Sequence, residues 1–388
     1  MGQDQFETAI SNLSTQDVAL VVEQICGSGY LAIQPHEVRA TGNKSAGGGT
    51  LGIYRVTGTA TNGDRHTPWS AVVKVLGEAK GFHDSDTVEL EREIEVYRSK
   101  AFEELSGAFR AARCYLIQNI DDNSTGIWME DLTDSLHAPW PLEQYPVSAQ
   151  HLGEFNAAWT GRSLPDWDWL SNSPIEDLWT NPAAANVFNN LSDPAMQSSI
   201  QSVLPSGGVE RLTQFQNRSN SLLTAVASVE TGIGHIDAHP KNFFVLNHDT
   251  DSPTTVAVDW PYVGRSPLGI DVGLFIISPL LWLEITVNEA KDLIEPIFEA
   301  YLRGIRNVGW EGDDPQIRMS YLAGIGVYGV NRKISMAHRV LTDDSARNFV
   351  VETIGHPADE LIDSWRDALE FLLQMTDEAF EVSEKLDH

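Results

Sequence analysis

The chain has 388 residues, 42% of them hydrophobic, enough to bury a large core in two lobes or domains and too many for a mini-protein held by disulfides. Its 55 acidic residues outnumber 26 basic ones, for a formal net charge of −29, which argues against nucleic acid as a partner because neutralising phosphates takes concentrated Lys and Arg. The same acidity suits a cationic ligand, a solubility adaptation or a high-salt habitat.

Cys26 and Cys114 are the only cysteines, so no disulfide framework is implied, and as two buried thiols they fit a reducing cytoplasm. Met1 to Gln24 is polar and acidic and lacks the basic and apolar regions of an export signal. The longest apolar stretch, Val272 to Ile285, contains Ser278 and Pro279, is too short to span a bilayer and reads as buried core. A cytoplasmic location and no membrane partner are therefore expected.

In chain order, VALVVEQI predicts a helix around Asp17 to Ile25, broken by Gly27 and Gly29. Three antiparallel strands follow: His36 to Ala40, Ile53 to Val56 after the glycines at 47–49, and Ala71 to Leu76 after the turn dipeptide Asn62-Gly63. Thr87 to Leu105 reads as a helix, with Val88, Ile94, Tyr97 and Phe102 near helical spacing. Cys114 to Ile117 and Ile127 to Met129 flank the polar turn DDNSTG as another hairpin. Past Pro141 the character turns helical: Ala149 to Trp159, Gly208 to Val229, Val287 to Val308, Pro315 to Val340 and Pro357 to Leu386. A strand-rich front and a helical back predict two lobes joined near Glu130 to Leu142, with no repeat and no low-complexity tract.

Three motifs carry chemistry. The first is Gly234-His235-Ile236-Asp237-Ala238-His239-Pro240-Lys241-Asn242, followed by a hairpin from Phe243 to Leu246 and Thr254 to Val258 that delivers Asp259. Phosphoryl transfer asks for an aligned nucleophile and a cation spread over phosphate oxygens. Asp237 can take a hydroxyl proton, and Asn242 and Asp259 offer magnesium one amide oxygen and one carboxylate, the hard oxygen donors it prefers. His235, Asp237 and His239 at alternate positions also allow a zinc reading, and a polar loop with locally satisfied hydrogen bonds is the bland one.

The second motif, Gly47-Gly48-Gly49-Thr50-Leu51-Gly52, lies between two predicted strands, which disfavours a dinucleotide fold and suits a flap over a triphosphate; a flexible surface turn is the alternative. The third is Lys74 within Ala71-Val72-Val73-Lys74-Val75-Leu76, a cation costly to bury unpaired. A glutamate on the next helix would orient it, Glu93 first and Glu89 and Glu91 as competitors, unless Lys74 lies on the solvent face of an edge strand.

Taken in order from Gly47 to Asp271, these segments resemble the aminoglycoside phosphotransferase and choline kinase family of protein-kinase-like small-molecule kinases. Trp128-Met129-Glu130-Asp131-Leu132 matches the hinge and Pro267 to Asp271 the segment after the metal aspartate. The resemblance implies an α+β, protein-kinase-like two-lobed fold, residues 1–132 forming a nucleotide-binding lobe with a helical N-terminal extension and residues 133–388 a catalytic and substrate-binding lobe. It implies ATP, with GTP open, and Mg2+. Asp237 would be the catalytic base, Asn242 and Asp259 the metal ligands, and Gly47, Gly49, Thr50, Gly52, Lys74, Glu93 and the backbone of Glu130 and Leu132 the nucleotide contacts. Asp271 would be structural. Two positions depart from the family pattern: Ile236 stands where glycine is usual, raising the question whether a β-branched residue alters the backbone there, and Asn156 lies where a histidine is usual.

The acceptor is less constrained. An aminoglycoside-like or amino-alcohol-like hydroxyl compound is the first reading, with a Ser or Thr of a precursor peptide, or a nucleotide-binding pseudokinase scaffold, as alternatives; the oligomeric state is open. Trp159, Trp167, Trp169 and Trp179 read as structural before ligand-stacking residues. Glu311, Asp313 and Asp314 suit an amine or a solvated loop. Arg332, Lys333, His338 and Arg339 share one predicted helix, where balancing charge on its surface is preferred to holding an anion.

Overall fold

The computed structural model describes residues 3–12, 14–41, 49–77, 87–103, 107–161, 164, 166–172 and 182–386. Gly47, Gly48 and Trp179 lie outside them.

Five antiparallel strands form the N-terminal sheet in the order β1-β2-β3-β6-β5: β1 (Leu31–Ala40), β2 (Thr50–Asn62), β3 (Arg65–Gly77), β5 (Cys114–Asp121) and β6 (Ser124–Glu130). The three expected strands are β1 to β3, longer than their alternating cores, and the expected hairpin is β5 and β6. Alternation along a strand gives the sheet two different faces. Tyr54, Val56, Val73, Val75 and Trp128 are buried with Phe6, Val18, Val21 and Val22 of α1 (Gln3–Ser11) and α2 (Thr15–Cys26), so the two N-terminal helices cover one face. Lys74, one residue out of phase, faces the other way, toward α3 (Thr87–Ser99). This helix ends at Ser99, short of the expected Leu105, and Phe102 beyond it is fully buried.

A short strand, β4 (Phe109–Ala111), pairs in parallel with β9 (Thr254–Ala257), which pairs antiparallel with β8 (Phe243–Leu246). A two-stranded ladder joins β7 (Thr231–Gly234) to β10 (Gly264–Pro267). These ladders hold the ends of the loop that runs from Gly234 to Asn242 and of the segment carrying Asp259. Helices pack around them: α4 (Gln144–Ala157), α5 (Pro182–Asn189), α6 (Pro194–Ile200), α7 (Gly208–Ala227), α8 (Ile270–Leu281), α9 (Val287–Asn307), α10 (Asp314–Ala323), α11 (Gly329–Thr342), α12 (Asp344–Ile354) and α13 (Ala358–Leu386). The architecture is the expected α+β one, an antiparallel sheet with one helix on its inner face and a larger, mainly helical second part.

Helices α4 and α9 cross where glycines let their backbones touch: a Cβ at Gly304 would stand 2.0 Å from the Gln150 carbonyl oxygen, and one at Gly153 would stand 2.6 Å from that of Tyr301. The single helix expected from Pro315 to Val340 is instead α10 and α11 separated by a π-helical turn, Gly324–Tyr328. A Cβ at Gly326 would meet the Thr376 backbone nitrogen on α13 at 2.7 Å, and one at Gly324 the Ile270 carbonyl oxygen at 2.8 Å, so this turn is pressed between α13 and α8. A π turn inserts a residue without breaking the apolar stripe, so helical periodicity conceals it. The apolar stretch read as core is α8, buried nearly throughout, and among the described residues no helix is long and apolar enough to cross a membrane.

Candidate active site

Lys74 lies at the junction of the two parts. Its Nζ donates to both oxygens of Glu93 at 2.8 Å and to Asp259 Oδ1 at 2.7 Å. Of the glutamates proposed as partners, Glu93 is bonded to Lys74 and Glu91 is exposed, while the Glu89 side chain lies outside the described residues. Burial works against the Lys74 ammonium, but Asp259 and Glu93 outweigh it and hold its pKa well above the ordinary lysine range. Burial pushes the Glu93 carboxyl up, the attraction of Lys74 opposes that rise, and the negative charge of Asp259 adds to it. Two carboxylates on one ammonium leave net negative charge, which suits a site completed by a further cation.

The loop after β7 is organised by Asp271 at the start of α8. Its carboxylate accepts the backbone N–H of His235 at 2.7 Å and of Ile236 at 2.8 Å. Asn156 of α4 donates to Asp271 at 3.1 Å and to the Ile233 carbonyl at 2.8 Å, and its own oxygen accepts from the Tyr301 hydroxyl at 3.1 Å. Asn156 thus ties α4, α8 and α9 to the loop, a link that a hydrogen-bonding side chain other than histidine fulfils. Tyr301 gave no signal in the sequence, since an aromatic on an apolar helix face is ordinarily core.

Ile236 takes φ +63°, the left-handed conformation that its β-branched side chain disfavours. The backbone is thus held in the glycine-like region with isoleucine in place, which answers the question its β-branched side chain raises. Two N–H groups pinned by Asp271 and a side chain buried to 1% exposure hold it there. Asp259, at φ +66°, is the other non-glycine residue of the site in this region.

Asp237 and Asp259 keep 30% and 34% of their side-chain surface, which leaves both carboxylates open to a ligand from the cleft. Asn242 donates from Nδ2 to Asp237 Oδ2 at 2.9 Å and to its carbonyl at 3.1 Å, so its Oδ1 is the end free for another role. The Asn242 carbonyl accepts the N–H of Val258 at 2.9 Å, which places Asn242 beside the residue preceding Asp259. Burial would raise the Asp237 carboxyl, but His239, His235 and Arg332 hold it down at about 2. His235 is fully buried, its Nε2 against the Val258 carbonyl at 2.9 Å and its Nδ1 accepting the Asp237 N–H at 3.3 Å. Both ring nitrogens are thereby used, which removes His235 from a zinc site.

At the rim, Gly49 has φ +85° and its carbonyl accepts from Gly77 N–H at 2.9 Å, while Thr50 and Gly52 lie at a bulge opposite Leu76 and Val75. The Gly49 φ is one that side chains rarely adopt, and a Cβ there would also displace the Leu90 side chain of α3, 2.1 Å away, so glycine is favoured at this position. Gly47 lies outside the described residues. The Glu130 N–H donates to the Arg113 carbonyl and its carboxylate pairs with Arg110. The Leu132 carbonyl accepts from Ser135, whereas the Leu132 N–H has no acceptor among the described residues.

The tryptophans pack as structure. Phe102 sits among Trp159, Trp167, Trp169 and Trp260 with ring centroids 5.1–6.2 Å away, and Arg92 of α3 donates to the Trp169 and Pro261 carbonyls, which fixes α3 beside Asp259. Asp314 pairs with Arg306. The cations of α11 do not share one surface: Lys333 is fully buried, whereas Arg332 is exposed.

No family model matches the chain, and no curated protein matches it in sequence. Among solved structures, an amicoumacin kinase in complex with AMP-PNP, Ca2+ and its ligand is similar at 12% identity and TM-score 0.48, over 93% of this chain and 96% of that one. A spectinomycin phosphotransferase in complex with ADP and spectinomycin is similar at 12% identity and TM-score 0.44, over 91% and 98%. An ethanolamine kinase of Plasmodium vivax is similar at 12% identity and TM-score 0.48, over 82% and 80%.

Proposed function

We propose that the chain is an ATP-dependent, magnesium-requiring phosphotransferase that moves the γ-phosphate to a hydroxyl of a small molecule. The observation that carries this reading is Lys74 on the sheet, bonded at once to Glu93 on α3 and to Asp259 of the second part. A buried lysine so oriented is a fixed point charge for the inner phosphates of a nucleotide. The Leu132 N–H is a donor for the base, and Gly49, Thr50 and Gly52 line the edge under which the phosphates would lie.

The residues present fit magnesium: Asp259 gives Oδ1 to Lys74 and retains a second oxygen, and Asn242 commits its nitrogen and retains Oδ1. Bound there, the ion would offset charge on the terminal phosphates. Asp237, ionised at neutral pH, orients the acceptor hydroxyl and takes its proton as the new oxygen–phosphorus bond forms and ADP leaves with the electron pair of the broken bond. Asn242 fixes that carboxylate by its hydrogen bond.

Asp237→Asn should lower kcat by roughly 10²- to 10⁴-fold with ATP binding retained. Unchanged turnover in that variant would remove Asp237 from the reaction.

A further inference from the structure

Glu93 is the residue of α3 that holds Lys74, and Arg92, directly before it, makes a separate connection to the second part of the molecule. Its Nε donates to the Trp169 carbonyl at 3.0 Å and its Nη1 to the Pro261 carbonyl. Successive helix residues point about 100° apart around the axis, so Glu93 turns to Lys74 and Asp259 while Arg92 turns to these two carbonyls. The guanidinium suits that task because its donors stand in a rigid planar fork, which two acceptors fix in direction as well as distance.

Both acceptors belong to the backbone that delivers Asp259. Pro261 occupies the second position of the turn Trp260–Val263, closed by the Val263 N–H on the Trp260 carbonyl at 3.4 Å, a position that its fixed φ suits. Trp169 lies in the segment 166–172, which runs beside that turn: Ser171 donates to the Val263 carbonyl at 3.3 Å and accepts from the Arg265 N–H at 2.8 Å. Lys74 and Glu93 ride on the first part, by contrast, and meet the second through the 2.7 Å bond from Lys74 to Asp259. Phosphates at Lys74 and a metal ion at Asp259 compete for the groups of that bond, whereas the Arg92 link ends on two backbone carbonyls that neither ligand needs. Phe102, beyond the C-terminal end of α3, is held among Trp159, Trp167, Trp169 and Trp260. Apolar burial of that kind is non-directional, so the orientation of Glu93 falls to Arg92.

We propose that Arg92 is a positioning residue for phosphoryl transfer: it clamps α3 to the Asp259 segment and so keeps the Lys74–Glu93 pair, which holds the nucleotide, aligned with Asp259, which holds the metal. This rests on the phosphotransferase reading of the site. Arg92 touches neither ligand and acts through their alignment.

The probe is AMP-PNP, titrated calorimetrically into the purified full chain with and without magnesium chloride. Binding without magnesium reads Lys74 and the hinge, and the factor by which magnesium tightens it reads the alignment of Asp259 with the phosphates. Arg92→Ala should leave the magnesium-free affinity within about 3-fold and cut the magnesium enhancement about 10-fold or more, the range for hydrogen bonds from a charged donor. Arg92→Lys, which keeps the charge and loses the fork, should fall between. In hydrogen exchange the amides of α3 should exchange about 10-fold faster in Arg92→Ala, with β5, β6 and α8 unchanged. Trp167→Leu controls for lost stability alone, because it loosens the aromatic cluster and leaves both carbonyls in place: Tm should drop with the magnesium enhancement retained. Unchanged α3 exchange or unchanged enhancement in Arg92→Ala, or an equal loss of enhancement in Trp167→Leu, would overturn the proposal. If Arg92→Ala does not fold, Arg92→Gln takes its place with the same expectations. Wild-type protein that binds no AMP-PNP, or binds it no tighter with magnesium, would overturn the phosphotransferase reading instead, and the exchange of α3 then still decides whether Arg92 holds the helix.

Discussion

Lys333 offers the clearest stability experiment. Its side chain is fully buried on α11, its Nζ has no hydrogen-bond partner, and the Trp365 ring 4.7 Å away is its only compensating contact among the described residues. Burial pushes its pKa well below the ordinary lysine value, so the native state releases a proton that the unfolded chain, with lysine near 10.4, still holds. Where the unfolded state binds more protons, stability rises with pH. The wild-type protein should therefore gain up to about 1.4 kcal/mol per pH unit between the folded pKa of Lys333 and about 10.4, and lose the same as pH falls through that window. Lys333→Met keeps the length and volume of the side chain without the amine. It should remove that slope and also relieve an unsatisfied buried donor, about 1–3 kcal/mol even where the amine is neutral. Urea unfolding followed by tryptophan fluorescence from pH 7 to 10 would show a more stable variant at every pH, with the gap narrowing as pH rises. Parallel curves, or a less stable variant at pH 8, would refute the burial of an uncompensated amine.

Ile236→Gly exchanges two terms: relief of the left-handed backbone, about 1–2 kcal/mol, against loss of a side chain at 1% exposure, about 2–5 kcal/mol. The variant should have a lower Tm with kcat within a few-fold of wild type, because Asp271 still holds both amides; a raised Tm would mean that strain outweighs burial. Gly304→Ala places a methyl 2.0 Å from the Gln150 carbonyl oxygen and must part α4 from α9, so Tm should drop by several degrees, and kcat should fall with it because Asn156 and Tyr301 ride on those helices. A Gly304→Ala protein with wild-type Tm would contradict the close crossing. Glu93→Gln leaves Lys74 with one carboxylate, and KM for ATP should rise about 10-fold in steady-state assays; an unchanged KM and kcat would detach the pair from nucleotide binding.

What the sequence disclosed was local. Lys74 within a run of strand formers, a glutamate on the following helix and the spacing from Asp237 to Asn242 are each written in a few consecutive residues, and the structure brings Lys74 against Glu93 and Asn242 against Asp237. What it withheld depends on distant partners. The hairpin predicted from Phe243 to Leu246 and Thr254 to Val258 is β8 and β9, whereas β4, β7 and β10 have three or four residues apiece, too few for alternation to identify, and their pairing joins Phe109 to Thr255 and Gly234 to Gly264. The helix α12 went unread, and Ala346 and Val350 are its buried residues. Lys333 was assigned to the surface by its charge, whereas the structure buries it on the helix that follows the π-helical turn.

The strained residues show how the scaffold maintains the site. Ile236 and Asp259 both sit at positive φ, conformations that ordinary residues hold only when their surroundings impose them. At Ile236 the imposing group is Asp271, a carboxylate that burial would drive toward its neutral form and that three donors, the amides of His235 and Ile236 and the Asn156 side chain, oppose. Asn156 is itself held by Tyr301, whose hydroxyl accepts the N–H of Gly269, two residues before Asp271. This closed circuit joins three helices to the loop that presents Asp237. At Asp259 the backbone is bracketed by Val258, bonded to Asn242 and His235, and by Trp260 in the aromatic cluster around Phe102. Isoleucine at position 236 holds a left-handed turn because the circuit, and not the conformational freedom of the residue, sets it.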